Sequence, residues 1–150
     1  MPYWLYKSEP GSYSIDNLER DGSTIWDGVR NFIARNYLIA AAVGDHAFFY
    51  HSSAKPPGLA GLARVIETGV VDPLQFAPDS KYYDATSDPS QPRWMTVRVE
   101  FAEKFDRFVP LDEMRTRFTP EQLPILRRGS RLSVTPVPDA TAEALIALVR

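Results

Sequence analysis

The chain contains no cysteine, which excludes disulfides and thiolate metal sites and implies no oxidising compartment. Histidine is almost as scarce: His46 and His51 are too few for a histidine-rich metal centre. No stretch approaches the roughly 18 consecutive apolar residues of a membrane span, and the N-terminus leads directly into an aromatic strand, so no signal peptide is read there. A soluble, cytoplasmic protein with no membrane contact, metal or cofactor is expected. Charge of one sign is also missing. The 17 basic and 19 acidic side chains leave a formal net charge of -2, which argues against a broad polyanion-coating surface but leaves room for a local basic patch. There is no repeat, linker, low-complexity tract or Gly-rich phosphate loop, and without cysteine the zinc signature of the base deaminases is excluded.

What is present is a 150-residue chain, 44% hydrophobic and 24% charged, the profile of one globular domain over residues 1–150. Its organising stretch runs from Ile25 to Ser52. At 100° per residue from Val29, the residues Val29, Phe32, Ile33, Ile39, Ala40 and Val43 fall on one arc, predicting a helix whose apolar face meets a core. Asn36 lies within that arc, either as a satisfied buried amide or as a polar group of a pocket. Asn31 and Arg35 share a flank, reading as a solvated face or as ligand contacts. Just upstream, Trp26 is either core or a stacking platform, beside a Gly28 suited to close backbone approach. The continuous run from Ala47 to Tyr50 predicts a strand buried on both faces, with His51 and Ser52 at its mouth.

Around this unit, Tyr3 to Lys7 reads as a first strand that brings Lys7 and Ser8 to its end. Ser14 caps a short helix. Leu59 to Val70 is a long strand, and Asp72 to Pro92 is a polar, proline-rich loop of the kind that often carries function. In it Tyr82 and Tyr83 either stack on a ligand or pin the loop. From Trp94 to Phe101 the pattern alternates, placing Val97, Val99 and Phe101 inward and Thr96, Arg98 and Glu100 outward. Leu111 to Arg117 forms a helix, and Thr119, Pro120 and Gln122 the capped start of another turn. Arg127, Arg128 and Arg131 make the densest basic cluster, a solvated turn or a phosphate clamp. Leu132 to Val137 is a last strand, and Asp139 or Thr141 caps a closing helix. Strands and helices out of strict alternation predict an α+β fold with a small, mostly antiparallel, barrel-like sheet.

The phrases YWLYKSEP, WDGVRN followed by ARN, GDHAFFYHS, KYYD and RRGSRLSV, in that order from Tyr3 to about Val137, resemble the EVE domain family. The resemblance implies a PUA-like β-barrel with flanking helices, akin to YTH domains, and a binding module whose pocket accepts a flipped modified base, with modified cytosine in DNA rather than RNA as leading ligand. Carried onto this chain, the pocket draws on Lys7, Ser8, Trp26, Asn31, Arg35, Asn36, Tyr50, His51 and Ser52, with Tyr83 or Trp94 as further walls. Lys7, Arg30, Arg35 and the Arg127, Arg128, Arg131 cluster would meet phosphates. The alternative is an amidohydrolase acting on modified pyrimidine nucleosides, as in related PUA-like folds. Lys7, Ser8 and Glu9 supply its residue types.

Overall fold

Which residues alternate, and which do not, decides the centre of the sheet. The computed structural model describes residues 2–150, so Met1, read above with the N-terminal segment, lies outside them. Strands β1 (Tyr3–Ser8) and β3 (His46–His51) are buried on both faces. Trp4, Tyr6, Ala47 and Phe49 enter one apolar cluster, Leu5, Phe48 and Tyr50 another, as strands covered on both sides must. The pair is parallel, in register from Tyr3 opposite His46 to Ser8 opposite His51.

The remaining elements are α1 (Ile15–Asp21), β2 (Ser23–Ile25), α2 (Phe32–Ala40), β4 (Gly58–Val71), β5 (Met95–Pro110), α3 (Leu111–Arg117), β6 (Val134–Val137) and α4 (Asp139–Leu148). The six strands lie in the order β2-β5-β4-β3-β1-β6, and every neighbouring pair except β1 and β3 is antiparallel. Ile15 and Leu18 of α1 and Ala34 and Leu38 of α2 cover one face. Met114 of α3 and Ala142 and Leu145 of α4 cover the other. The result is an α+β fold, with the sheet between two helical layers.

The barrel expectation needs correction. The sheet is open, its order ending at β2 on one side and β6 on the other. α2 lies against both β5 and β6, so a helix bridges the gap that strand pairing would otherwise close.

The reading of α2 is also corrected. Asn31, not Val29, marks its start: the Asn31 side chain accepts from the backbone N–H of Ile33 at 2.8 Å and of Ala34 at 3.0 Å, occupying donors that have no partner inside the helix. The stripe facing the sheet is Ala34 and Leu38, continued by Ala41. The arc expected to face the core is turned outward, leaving Phe32 51%, Ile33 55%, Ile39 55% and Val43 61% exposed. The small Ala34 and Ala41 let the helix approach the sheet closely, which the bulkier arc would prevent. Asn36 is therefore exposed rather than buried.

Smaller corrections follow the same logic. β5 runs on to Pro110, beyond the Trp94 to Phe101 segment, through charged residues. Its Thr96 is buried rather than outward, donating to the Trp26 carbonyl at 2.5 Å. α4 has Pro138 at its N-cap with no side-chain cap, so neither Asp139 nor Thr141 serves. Thr119 and Gln122 do exchange hydrogen bonds, at 2.9 and 3.3 Å, but they close a turn ahead of a single 3-10 turn, Pro124–Leu126. At Gly61 a Cβ would lie 2.5 Å from the Glu103 carbonyl and 2.6 Å from Ile15, so α1 packs where only glycine leaves room.

Candidate functional site

A cavity of about 610 Å³ opens at the C-terminal ends of β1 and β3, within the size range of small-molecule pockets. β1 delivers Lys7 and Ser8, and the turn after it Glu9, Ser12 and Tyr13. Thr24 and Ile25 of β2 lead into Trp26, Asp27, Gly28 and Val29 on a second side. Ser52, Ser133 and the loop residues Lys81 and Tyr82 complete the wall.

The Trp26 turn is held from several directions. Its N–H donates to the Val97 carbonyl at 2.9 Å, and its carbonyl accepts from Thr96. Gly28 has a φ of 84° and donates its N–H to Asp72 at 2.8 Å. A Cβ there would lie 3.0 Å from the Tyr82 ring, so glycine both permits the left-handed backbone and lets the tyrosine lie across the turn. The indole of Trp26 is only 7% exposed. It packs at 5.3 Å against Tyr6, tilted, and at 5.3 Å against Phe49, edge to face. Trp26 is thus a core residue that also belongs to the cavity wall.

Arg30 fastens the long loop to this turn. Its guanidinium donates to Asp72 at 2.9 Å, to the Tyr82 carbonyl at 2.9 Å and to the Val29 carbonyl at 2.7 Å, and lies 5.1 Å from the Trp94 ring centroid. Asp72 also caps the following turn by accepting from the Leu74 N–H at 2.8 Å. On the loop itself, hydrogen bonds from Thr86 and from the Trp94 ring hold the Asp84 carboxyl at about 2, below its ordinary range.

Several side chains assigned to the pocket lie elsewhere. Arg30, expected at a phosphate, is directed at its own protein through Nε and one terminal nitrogen, and its other terminal nitrogen is buried without a partner. Arg35 donates to Asn36 at 2.9 and 3.2 Å and to the Arg93 carbonyl at 3.1 Å, while Asn31 caps α2. Trp94 is buried, donates to Asp84 at 2.8 Å and stacks on Phe32 at 4.9 Å. His51 accepts the Ile15 N–H at Nε2, 3.1 Å away, so it joins β3 to the start of α1. Burial pushes its pKa down. Tyr50 is buried in the cluster on the opposite face. Tyr83 is exposed, and its neighbour Tyr82 is the one against the turn. Of the residues assigned to the pocket through the family resemblance, Lys7, Ser8, Trp26 and Ser52 line the cavity, as do Glu9, Gly28 and Tyr82, which were read otherwise. Arg127, Arg128 and Arg131 are exposed on the loop before β6, outside it.

Asp27 and Lys81 were not singled out, and Tyr82 was read only as one of a pair that stacks on a ligand or pins the loop. Asp27 was legible only as the residue after Trp26, and nothing in a Tyr-Tyr pair says which ring turns inward. Partial desolvation at the cavity wall, then the nearby Asp72, raise the pKa of the exposed Asp27 carboxyl above its ordinary value. Burial lowers Lys7, which has no ion-pair partner among the described residues. Ser8 donates its hydroxyl to the Tyr13 carbonyl at 2.6 Å. Among the described residues no group of three or more His, Cys, Asp or Glu is placed to hold a metal ion, and no helix is long and apolar enough to cross a membrane.

Fold and cavity define a small α+β domain with a polar, aromatic-edged cavity at the end of a parallel strand pair. The chain belongs to the EVE domain family, whose model matches residues 2–148. It is 35% identical over 164 aligned residues to thymocyte nuclear protein 1 of Homo sapiens, covering 97% of this chain and 73% of that protein. Against the mouse and rat proteins of that name the chain spans 55% of their length. A solved protein of Pseudomonas syringae superposes with a TM-score of 0.94 at 42% identity, covering 99% of each chain. Human THYN1 in complex with 5-methylcytosine-containing DNA superposes with a TM-score of 0.90 at 34% identity, covering 100% of this chain and 98% of that one. The Pho92 YTH domain shares the fold alone, at a TM-score of 0.55 and 13% identity. The expected cytoplasmic location is overturned: curated relatives carry the name thymocyte nuclear protein 1, which points to the nucleus.

Proposed function

We propose that this chain is a PUA-like, non-catalytic reader whose cavity accepts one base extruded from DNA, with 5-methylcytosine as the leading ligand. The observation that carries this reading is the near-full-length superposition on human THYN1 in complex with 5-methylcytosine-containing DNA. Extruding a base costs a few kcal/mol, and aromatic contact returns about 1 to 3 kcal/mol per base. Here Trp26 and Tyr82, both in the cavity wall, supply that contact. Lys7 and Lys81 lie at the same cavity, where ammonium groups can meet the phosphates flanking the base. Arg127, Arg128 and Arg131 extend the contact along the backbone.

The methyl group is worth roughly 0.8 kcal/mol when buried, or about fourfold in affinity. Titrating a duplex with one 5-methylcytosine and its unmodified twin is expected to give curves separated by about that factor. Coincident curves would overturn the modified-base reading.

One observation favours the hydrolase alternative: Lys7, Ser8 and Glu9 all line the cavity. Against it, the Ser8 hydroxyl donates to a backbone carbonyl and not to a neighbouring base, so the nucleophile–base hydrogen bond of covalent catalysis is missing. Acylated cytidine incubated with the protein is expected to be recovered unchanged. Product formation abolished by Lys7→Ala would establish the alternative.

A further inference from the structure

We propose that Asp27 selects the base by its amino edge, admitting a cytosine-type ring and rejecting thymine or uracil in the same cavity; this rests on the base-binding reading above. Asp27 follows the indole directly, on a turn whose backbone is fixed from both sides. Its own N–H donates to the Ile25 carbonyl at 3.0 Å, and the N–H of Gly28 goes to Asp72. The carboxyl itself forms no hydrogen bond or ion pair with another side chain among the described residues. Asp72, close by, has its charge met by Arg30 and by two backbone N–H groups. Asp27 has no such set and remains exposed at the cavity wall.

A carboxylate held this way is free to accept from a donor on a ligand that enters the cavity. Among the other cavity side chains, the ammonium groups of Lys7 and Lys81 only donate, and a hydroxyl such as Ser8, whose hydrogen goes to the Tyr13 carbonyl, offers a neutral acceptor where Asp27 offers a charged one. Glu9, the other carboxylate at the cavity, is exposed on the turn after β1, whereas Asp27 follows the indole directly. Cytosine presents an N4 amino donor, which carboxylates accept, where thymine presents the O4 acceptor. Facing Asp27, the first makes a charge-assisted hydrogen bond and the second brings two acceptors together.

The test uses duplexes in which 5-methylcytosine or thymine faces an abasic site, so that both bases are unpaired and carry the same methyl group. The protein is expected to prefer 5-methylcytosine by roughly tenfold or more. Asp27→Asn, whose amide can turn its NH2 toward O4, is expected to bring the ratio below about threefold, and Asp27→Ser to do the same if the first variant misfolds. A ratio unchanged in the folded variants, or absent in the wild type while both duplexes bind, overturns the role of Asp27 and leaves the base-binding reading intact. Binding no tighter than to a duplex with no base at the target position would defeat that reading itself.

Discussion

At Arg30 a guanidinium reaches three protein acceptors and the face of Trp94, and its ion pair with Asp72 is largely buried. Removing one partner of such a pair leaves an uncompensated charge, a loss of about 3 kcal/mol. Arg30→Met is therefore expected to lower stability by that order in urea unfolding and to expose the 72–94 loop to proteolysis. Lysine, with one ammonium in place of a planar fork, is not expected to restore it. His51 carries a different consequence. Its Nε2 accepts an N–H, so the ring is neutral with its proton on Nδ1, and its folded pKa is depressed. The unfolded chain then takes up a proton first as pH falls below about 6.5, and stability is lost from there down through the folded pKa. His46 is depressed too. Unfolding free energies at pH 7.5 and 5.5 should fall with acidification, and the slope should be reduced but not abolished in His51→Gln.

Among the elements, α2 joins the two sides of the open sheet, and its N-cap is Asn31. Asn31→Ala is expected to cost about 1 kcal/mol, readable as a shift of the urea midpoint. The sequence was clear where one period ruled: the two-face burial of β3 follows from four consecutive apolar residues, and the Ser14 cap is completed by Asn17 in a reciprocal pair at 3.2 and 2.9 Å. It misled where two apolar stripes competed, because helical periodicity weighs Ile33 and Ile39 above the alanines that fit the sheet. Half of the site was hidden for a related reason. Lys7 and Ser8 at the end of β1 and Trp26 after β2 were each legible although their strands are not neighbours in the sheet, but the descent of Tyr82 onto Gly28 is a contact between residues 54 apart in sequence, set by the Arg30 to Asp72 clamp.

On the scale of the whole molecule, a net charge of -2 sets the kind of nucleic-acid binding available. Few cations are free to displace counterions, so the slope of log affinity against log salt is expected to be shallow, about -2 to -4. Arg128→Ala should reduce it by about 1 without changing the ratio between modified and unmodified DNA, since exposed arginines outside the cavity position the backbone and do not read the base. The decisive measurement is the change in backbone amide resonances when a duplex carrying one 5-methylcytosine is added to isotopically labelled protein. The largest shifts are expected at Lys7, Ser8, Trp26, Asp27, Gly28 and Tyr82, and a smaller set at Arg127 to Arg131. Shifts confined to the exposed face of α2 or to the arginine loop, with the residues around the cavity unmoved, would contradict the account.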